Sequence, residues 1–182
     1  MMRGKKIGLR ARHEADVPAF QAEIYNDVEL RTRADDRPWR PVSLKAAETA
    51  EPPNPDTAAS FSVVELNAEQ TLLGECSLWG IDTHNRSAHL GISLLPAARF
   101  RGFGTDVVRV LCEYGFAVRG LHRLQLETIA DNTPMIAAAT KSGFAVEGTL
   151  RQAAWIYGGF ADLAILGLLA EDWSPANPVN PA

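Results

Sequence analysis

The chain has 182 residues, which is enough for one domain with a substantial core and too few for two. Its 46% hydrophobic and 22% charged residues are typical of a soluble globular protein, and a net charge of −4 gives no sign of a nucleic-acid or anionic-lipid partner. No apolar core of a signal peptide and no apolar run of about 20 residues is present, so a cytoplasmic location without membrane contact is predicted.

The first third of the chain predicts a strand, a helix and a long excursion from the core. The strand is expected over residues 5–12 and the helix over residues 14–26. Residues 31–60 hold five prolines and one short helical pattern, over residues 43–49. Because excursions of this length are often lids or binding loops, residues 31–60 are predicted to be mobile and to lie on the acceptor side of a site.

The rest of the chain predicts three antiparallel strands, then a helix, a strand, a second helix and a closing β-hairpin. These strands are expected over residues 61–66, 71–81, 87–94, 122–129, 144–156 and 161–170, and the helices over residues 105–119 and 133–142. The order indicates an α+β fold of helices on a mixed sheet. Residues 1–173 are predicted to form this single domain, and the proline-rich residues 174–182 a disordered tail.

A glycine-containing turn between a strand and a helix is the most informative motif. The strand ends at Leu95, Gly102 and Gly104 follow, and a helix starts at once. Backbone N–H groups at such a turn, together with the partial positive charge of the helix N-terminus, are suited to a pyrophosphate, and Arg99 and Arg101 add full charges. The residues match neither the dinucleotide-binding GxGxxG pattern nor the P-loop.

Three blocks in the right order resemble the GNAT superfamily of N-acetyltransferases. The run Arg99-Phe100-Arg101-Gly102-Phe103-Gly104 fits its Arg/Gln-x-x-Gly-x-Gly/Ala signature. Asn132, then Lys141-Ser142-Gly143-Phe144, Glu147-Gly148 and Arg151, resemble a second family block. The close, Tyr157-Gly158-Gly159-Phe160-Ala161-Asp162, is similar to the branch typified by the ribosomal-protein N-terminal acetyltransferases RimJ and RimL.

The resemblance implies a twisted, mostly antiparallel sheet of about seven strands with helices on both faces, and acetyl-CoA as co-substrate. The CoA pyrophosphate is then expected on the turn, and the pantetheine arm between the strand that ends near Leu94 and the strand over residues 122–129. The implied cofactor-binding residues are Ile92, Ser93, Leu94, Arg99, Arg101, Gly102, Phe103, Gly104, Thr105, Asn132 and Lys141. Met135 replaces the serine that this branch uses to protonate the leaving thiolate.

Two residues are candidates for the base that deprotonates the acceptor amine. His89 lies on the strand that leads into the turn, on the same face as Gly91 and Ser93, and Glu75 is expected on the preceding strand with Leu73, Ser77 and Trp79. At pH 7, freeing a lysine amine costs about 4.6 kcal/mol and freeing an α-amine costs about 1 kcal/mol, so the former needs the stronger base.

The two cysteines, Cys76 and Cys112, form neither a CxxC pair nor a zinc site, and two buried thiols and no metal are predicted. Cys76 faces away from Glu75, which argues against an acetyl-cysteine intermediate.

The acceptor is predicted to be a primary amine, on a peptide N-terminus or a small molecule. Arginines in residues 31–60 could attract an acidic acceptor, and Trp79 or Trp155 could wall its slot. An antibiotic-modifying acetyltransferase and a non-catalytic acyl-CoA sensor are the alternatives, and a homodimer is one option for the assembly.

Overall fold

The computed structural model of the chain describes residues 1–35, 37–48 and 54–174. They form one mixed sheet in the order β1-β2-β3-β4-β5-β6-β8-β7. The strands are β1 (Met2–Arg3), β2 (Ile7–Arg10), β3 (Ala58–Glu65), β4 (Ala68–Asp82), β5 (Ser87–Leu94), β6 (Arg123–Ile129), β7 (Ala145–Ile156) and β8 (Gly159–Leu169). The α+β prediction is confirmed, and the strand beyond the seven expected is the two-residue β1.

Five α-helices accompany the sheet in the part of the chain that the structure describes. They are α1 (Val17–Phe20), α2 (Val28–Ala34), α3 (Leu44–Glu48), α4 (Phe103–Glu113) and α5 (Thr133–Thr140). A 3-10 turn over Glu14–Asp16 precedes α1, and π-helical turns extend α1 over Gln21–Tyr25 and α4 over Tyr114–Val118. None of these helices is long and apolar enough to cross a membrane.

The prediction for residues 31–60 needs one correction. The helix α2 runs from Val28 to Ala34, with the Asp27 side chain accepting a hydrogen bond from the Leu30 amide at its N-terminus. The proline-based reading missed this helix because α2 buries none of its side chains fully and so has no strong apolar stripe. The expected helix over residues 43–49 is present as α3, while residues 36 and 49–53 and most of the predicted tail, 175–182, lie outside the described residues.

The main core lies between the sheet and α4. Val107, Val108 and Leu111 of α4 are fully buried against β-strand residues such as Leu78 and Leu124. This arrangement holds the N-terminus of α4 at the end of β5.

A β-bulge in β4 changes which side chains share a face. The pairing of β3 with β4 shifts between Val63 and Val64, so Leu73 joins the main core and Leu72 packs with Phe20 and Ile24 on the other face. The expectation that Leu73 shares the face of Glu75 is therefore wrong. The bulge centres on Gly74, whose φ is +154° and where a Cβ would lie 2.3 Å from the carbonyl oxygen of Ser93.

A buried carboxylate joins the 3-10 turn before α1 to strands β2 and β3. Asp16 accepts hydrogen bonds from Arg10 Nη1 and Nη2 at 2.7 and 2.8 Å, Ser62 Oγ at 2.7 Å and the His13 amide at 2.9 Å. Burial acts to raise the pKa of Asp16, but these hydrogen bonds outweigh it and the pKa lies well below its usual range.

We expect Asp16→Asn to lower the free energy of unfolding by about 2–3 kcal/mol at pH 7, because it removes hydrogen bonds to a buried charge. Since the folded pKa is lowered, this stability is present above the unfolded value near 3.9 and is lost as the pH falls towards the folded value. Urea unfolding from pH 7 to pH 3 should show the two proteins converging below about pH 4. Asp172→Asn, at an exposed carboxylate, is the control; a constant difference at all pH values would contradict the prediction.

Candidate functional site

An opening in the sheet lies between β5 and β6, the one parallel pair among the strands that the structure describes. The two strands pair through Ser87–His89 and Arg123–Gln125 alone. Beyond His89, β5 continues to Leu94 while β6 pairs only with β8. The main chain of residues 90–94, which includes the predicted Ile92, Ser93 and Leu94, therefore borders a V-shaped gap.

The predicted phosphate turn lies at the wide end of this gap. Gly102 precedes α4 with φ +81°, a left-handed conformation that favours glycine, and no side chain caps the helix. The free N–H groups of residues at the start of α4, including Phe103, Gly104 and Thr105, are then available to an anion. A Cβ at Gly104 would still lie 3.9 Å from its nearest neighbour, Ala138, so this glycine is not required by packing.

Two arginines flank the turn. Arg99 donates from Nε to the Leu94 carbonyl at 3.1 Å, and its buried Nη2 has no hydrogen-bond partner among the described residues. Because an unpaired buried donor is costly, Arg99 is a candidate to bind an anion. The guanidinium of Arg101 lies 4.9 Å from the ring centre of Phe103.

Two lysines that the sequence did not single out lie beside the same turn. Lys5 and Lys6 line a pocket of about 270 Å³ with Arg101 and Phe103. The Asp106 carboxylate, buried in the first turns of α4, accepts hydrogen bonds from the amides of Lys5, Lys6 and Ile7 at 3.1, 2.7 and 3.2 Å. Asp106 thereby fixes the β1–β2 turn against the start of α4.

We expect Asp106→Ala to lower the free energy of unfolding by about 3 kcal/mol, because three backbone donors lose a charged acceptor. Asp106→Asn keeps one acceptor oxygen and should lose less. Denaturant unfolding at pH 7 measures both variants. A loss below about 0.5 kcal/mol in the alanine variant would show that water replaces the carboxylate at this turn.

Glu75 lies near the wide end of the gap, opposite Ser93. Tyr25 Oη donates to both Glu75 oxygens, at 2.6 and 2.8 Å, and Arg12 forms an ion pair with Glu75. Burial, assisted by the Glu75 charge, raises the pKa of Tyr25 to about 12, so its phenol stays protonated. Arg12 and Tyr25 were missed because they lie 63 and 50 residues from Glu75 in the chain.

His89 lies at the closed end of the gap, where β5 and β6 part. Its ring stacks on Trp79, with ring centres 4.3 Å apart and planes at 19°. Its Nδ1 is buried and has no hydrogen-bond partner in the part of the chain that the structure describes. About 13 Å of strand separates His89 from Ser93 and hence from Glu75. The two predicted bases thus share one face of the sheet but serve different positions along the gap.

The structure shows the surroundings of the other predicted residues, while their contacts with a ligand remain predictions. Asn132 caps α5 by accepting from the Met135 amide at 3.3 Å and donates to Thr128 Oγ1 at 2.9 Å. Lys141 is exposed at the end of α5. Cys76 and Cys112 are buried and free, as predicted, and burial raises the pKa of both thiols, that of Cys112 to about 12.

Carboxylates neutralise several arginines of the predicted excursion. Arg31 and Arg37 pair with Asp35, and Arg33 of α2 pairs with Asp131, which follows β6. These pairs weaken the idea that the excursion attracts an acidic acceptor. Among the described residues, no group of three or more His, Cys, Asp or Glu side chains could hold a metal ion.

The profile of the acetyltransferase (GNAT) domain matches residues 6–145, and the chain belongs to this family. It is 28% identical over 117 residues to the uncharacterized N-acetyltransferase p20 of Bacillus licheniformis, covering 64% of this chain and 65% of that protein. It is also 28% identical over 114 residues to a spermidine N(1)-acetyltransferase of Vibrio cholerae, covering 63% of this chain and 65% of that protein. The chain thus spans just under two thirds of these curated relatives.

Solved structures share the fold over nearly the whole chain. The Vibrio cholerae spermidine N-acetyltransferase in complex with CoA and spermine superposes with a TM-score of 0.78 at 21% identity, over 91% of this chain and 96% of the other. RimL, a ribosomal-protein α-N-acetyltransferase in complex with coenzyme A, gives 0.78 at 21% identity, over 91% and 94%. At 21% identity, both structures share the fold of this chain.

Proposed function

We propose that the chain is an N-acetyltransferase that moves the acetyl group of acetyl-CoA directly to a primary amine. The observation that carries this proposal is the gap between β5 and β6, which leads to the uncapped N-terminus of α4. Beside it lies Arg99, whose buried Nη2 has no hydrogen-bond partner among the described residues. Family membership supports the same activity.

The donor site would use main-chain groups for position and cations for charge. The amides at the start of α4 with Arg99 and Arg101 would hold the pyrophosphate, and the free edge of residues 92–94 would pair with the amides of the pantetheine arm. Asn132 and Lys141 would contact the ligand from α5. Acetyl-CoA supplies the thioester acetyl group when it is bound.

Transfer requires a neutral amine against the thioester carbonyl. The nitrogen forms a bond to the carbonyl carbon, the carbon–sulfur bond breaks, and the nitrogen loses a proton to a base or to water. The His89 side chain is 31% exposed, whereas the oxygens of Glu75 already accept from Arg12 and Tyr25. We therefore place the base at His89 and give Glu75 the role of anchoring α1 and its π-helical extension beside the acceptor.

The acceptor would enter between the extension of α1, helix α2 and the closing β7–β8 hairpin. The named relatives act on spermidine and on a ribosomal protein, so polyamines and peptide N-termini are the first amines to test. Exposed apolar residues on the β7–β8 hairpin support the prediction of a homodimer: they are Val146, Leu150, Trp155, Tyr157 and Phe160. The cytoplasmic location stays a prediction.

The experiment is a thiol-release assay with acetyl-CoA and a panel of amines: peptides with free α-amines, polyamines and aminoglycosides. Mass spectrometry of the acceptor confirms acetylation, and a reaction without acceptor gives the background. Release with one amine class supports the proposal and names the acceptor. Tight acetyl-CoA binding without release of thiol for any amine class would favour the acyl-CoA sensor. Two features favour this alternative: Met135 in place of serine, and the contacts of the Glu75 carboxylate with Arg12 and Tyr25.

A further inference from the structure

A network of hydrogen-bonded polar side chains crosses the face of the sheet at the closed end of the gap. Glu147 pairs with Arg123, Arg123 donates to Gln125 Oε1 at 3.1 Å, and Gln125 Nε2 donates to Glu127 Oε1 at 2.8 Å. Arg123, Gln125 and Glu127 alternate along β6 and so face the same side as His89. Each of these contacts fixes the side chain next to it, and the network ends at Glu127.

Glu127 is the carboxylate that approaches His89. Its Oε1 lies 3.8 Å from His89 Nδ1, a buried nitrogen with no hydrogen-bond partner within residues 1–35, 37–48 and 54–174. The stacked Trp79 ring limits the positions of the imidazole, which leaves Nδ1 directed towards β6. A distance of 3.8 Å is too long for a hydrogen bond. Catalytic hydrogen bonds in ligand-free sites are often long, however, and shorten when substrate binds.

We propose that His89 and Glu127 form a catalytic dyad in which Glu127 positions the imidazole with its proton on Nδ1 and its free Nε2 towards the acceptor amine. This inference rests on the proposed acetyltransferase function and adds a residue that the sequence did not single out. The logic is that of any imidazole base held by a carboxylate, which fixes the tautomer and stabilises the imidazolium.

Proton transfer in this scheme is balanced. The acceptor nitrogen bonds to the thioester carbon and its proton passes to His89 Nε2. The carbon–sulfur bond then breaks, and the thiolate of CoA takes the proton from the imidazolium, which restores neutral His89. No separate acid is required, which accounts for the tolerance of Met135 at the place of the branch serine.

The charged groups around His89 lie on two strands, β6 and β7. Glu127 of β6 is nearest, and the Arg123–Glu147 pair of β6 and β7 lies beyond Gln125 and largely cancels itself. Trp79 and Gly80 of β4 are uncharged; a Cβ at Gly80 would lie 3.4 Å from His89 Cδ2. Among these described neighbours, Glu127 is therefore the charged group that acts on His89 while its own charge is not neutralised by a paired cation.

The first test reads the tautomer and does not depend on turnover. Nitrogen NMR of histidine-labelled protein near pH 8 distinguishes Nδ1–H from Nε2–H, and a His89→Gln variant identifies its signal among the four histidines. We expect Nδ1–H in the wild type and loss of that preference in Glu127→Gln. Glu171→Gln, at an exposed carboxylate outside this network, should leave the tautomer unchanged.

The second test is kinetic and uses the acceptor found by thiol release. Glu127→Gln should lower kcat at least about tenfold with little change in KM for acetyl-CoA, and should move the acid limb of the kcat–pH profile to lower pH. Glu127→Asp should recover part of kcat. An Nε2–H tautomer in the wild type, or an unchanged tautomer and kcat in Glu127→Gln, would overturn the dyad. If no acceptor is acetylated although His89 carries its proton on Nδ1, the acetyltransferase function is wrong, and so is the catalytic role of the pair.

Discussion

Gly104→Glu is expected to weaken acetyl-CoA binding by at least about a hundredfold, which corresponds to about 2.7 kcal/mol. The side chain would enter the concavity at the start of α4 and bring a negative charge towards the pyrophosphate. Two like charges about 4 Å apart repel by about 4 kcal/mol at an effective dielectric constant of 20. Isothermal titration calorimetry with acetyl-CoA measures the change.

Three controls separate charge, bulk and folding. Gly104→Gln has the same shape without the charge and should bind more tightly than Gly104→Glu. Gly104→Ala should leave stability unchanged, since its Cβ would make ordinary contacts. Gly148→Glu adds the same charge where a Cβ meets nothing within 4 Å, and should bind like wild type. If folded Gly104→Glu binds within about threefold of wild type, the pyrophosphate lies elsewhere.

Local signals in the sequence predicted well the strand and the helix on either side of the glycine turn. The strand at Ser87–Leu94 has the predicted bounds, and the structure places α4 directly after the glycine turn. Both features depend on short-range chemistry: alternation of side chains along a strand and the backbone freedom of glycine before a helix. The gap between β5 and β6 was predicted only from the family resemblance, because no local sequence pattern shows how many residues of two parallel strands pair with each other.

The acceptor side depends on contacts that no local pattern encodes. Arg12 and Tyr25 reach Glu75 across the fold, and Glu127 meets His89 only because β5 and β6 lie side by side. The bulge at Gly74 changed the face of Leu73, since one extra residue in a strand reverses the alternation that follows. Sequence reasoning therefore named His89 and Glu75 but not the partners that distinguish them.

His89→Ala is expected to lower kcat by about 10²–10⁴ with little change in acetyl-CoA affinity, because it removes the base and leaves the phosphate turn intact. Glu75→Gln is expected to be milder, since the glutamine can still accept from Tyr25 and Arg12 although the ion pair is lost. Steady-state kinetics with the identified acceptor, and calorimetry with acetyl-CoA, measure both variants.

The pH profile distinguishes the two bases. If His89 is the base, an acid limb of the kcat–pH profile should appear in the wild type and in Glu75→Gln and vanish in His89→Ala. A large loss in Glu75→Gln with a mild effect in His89→Ala would move the base to Glu75 and make its contacts with Arg12 and Tyr25 part of the reaction. If the double variant keeps a kcat near that of the wild type, water deprotonates the amine and the gap acts by positioning alone.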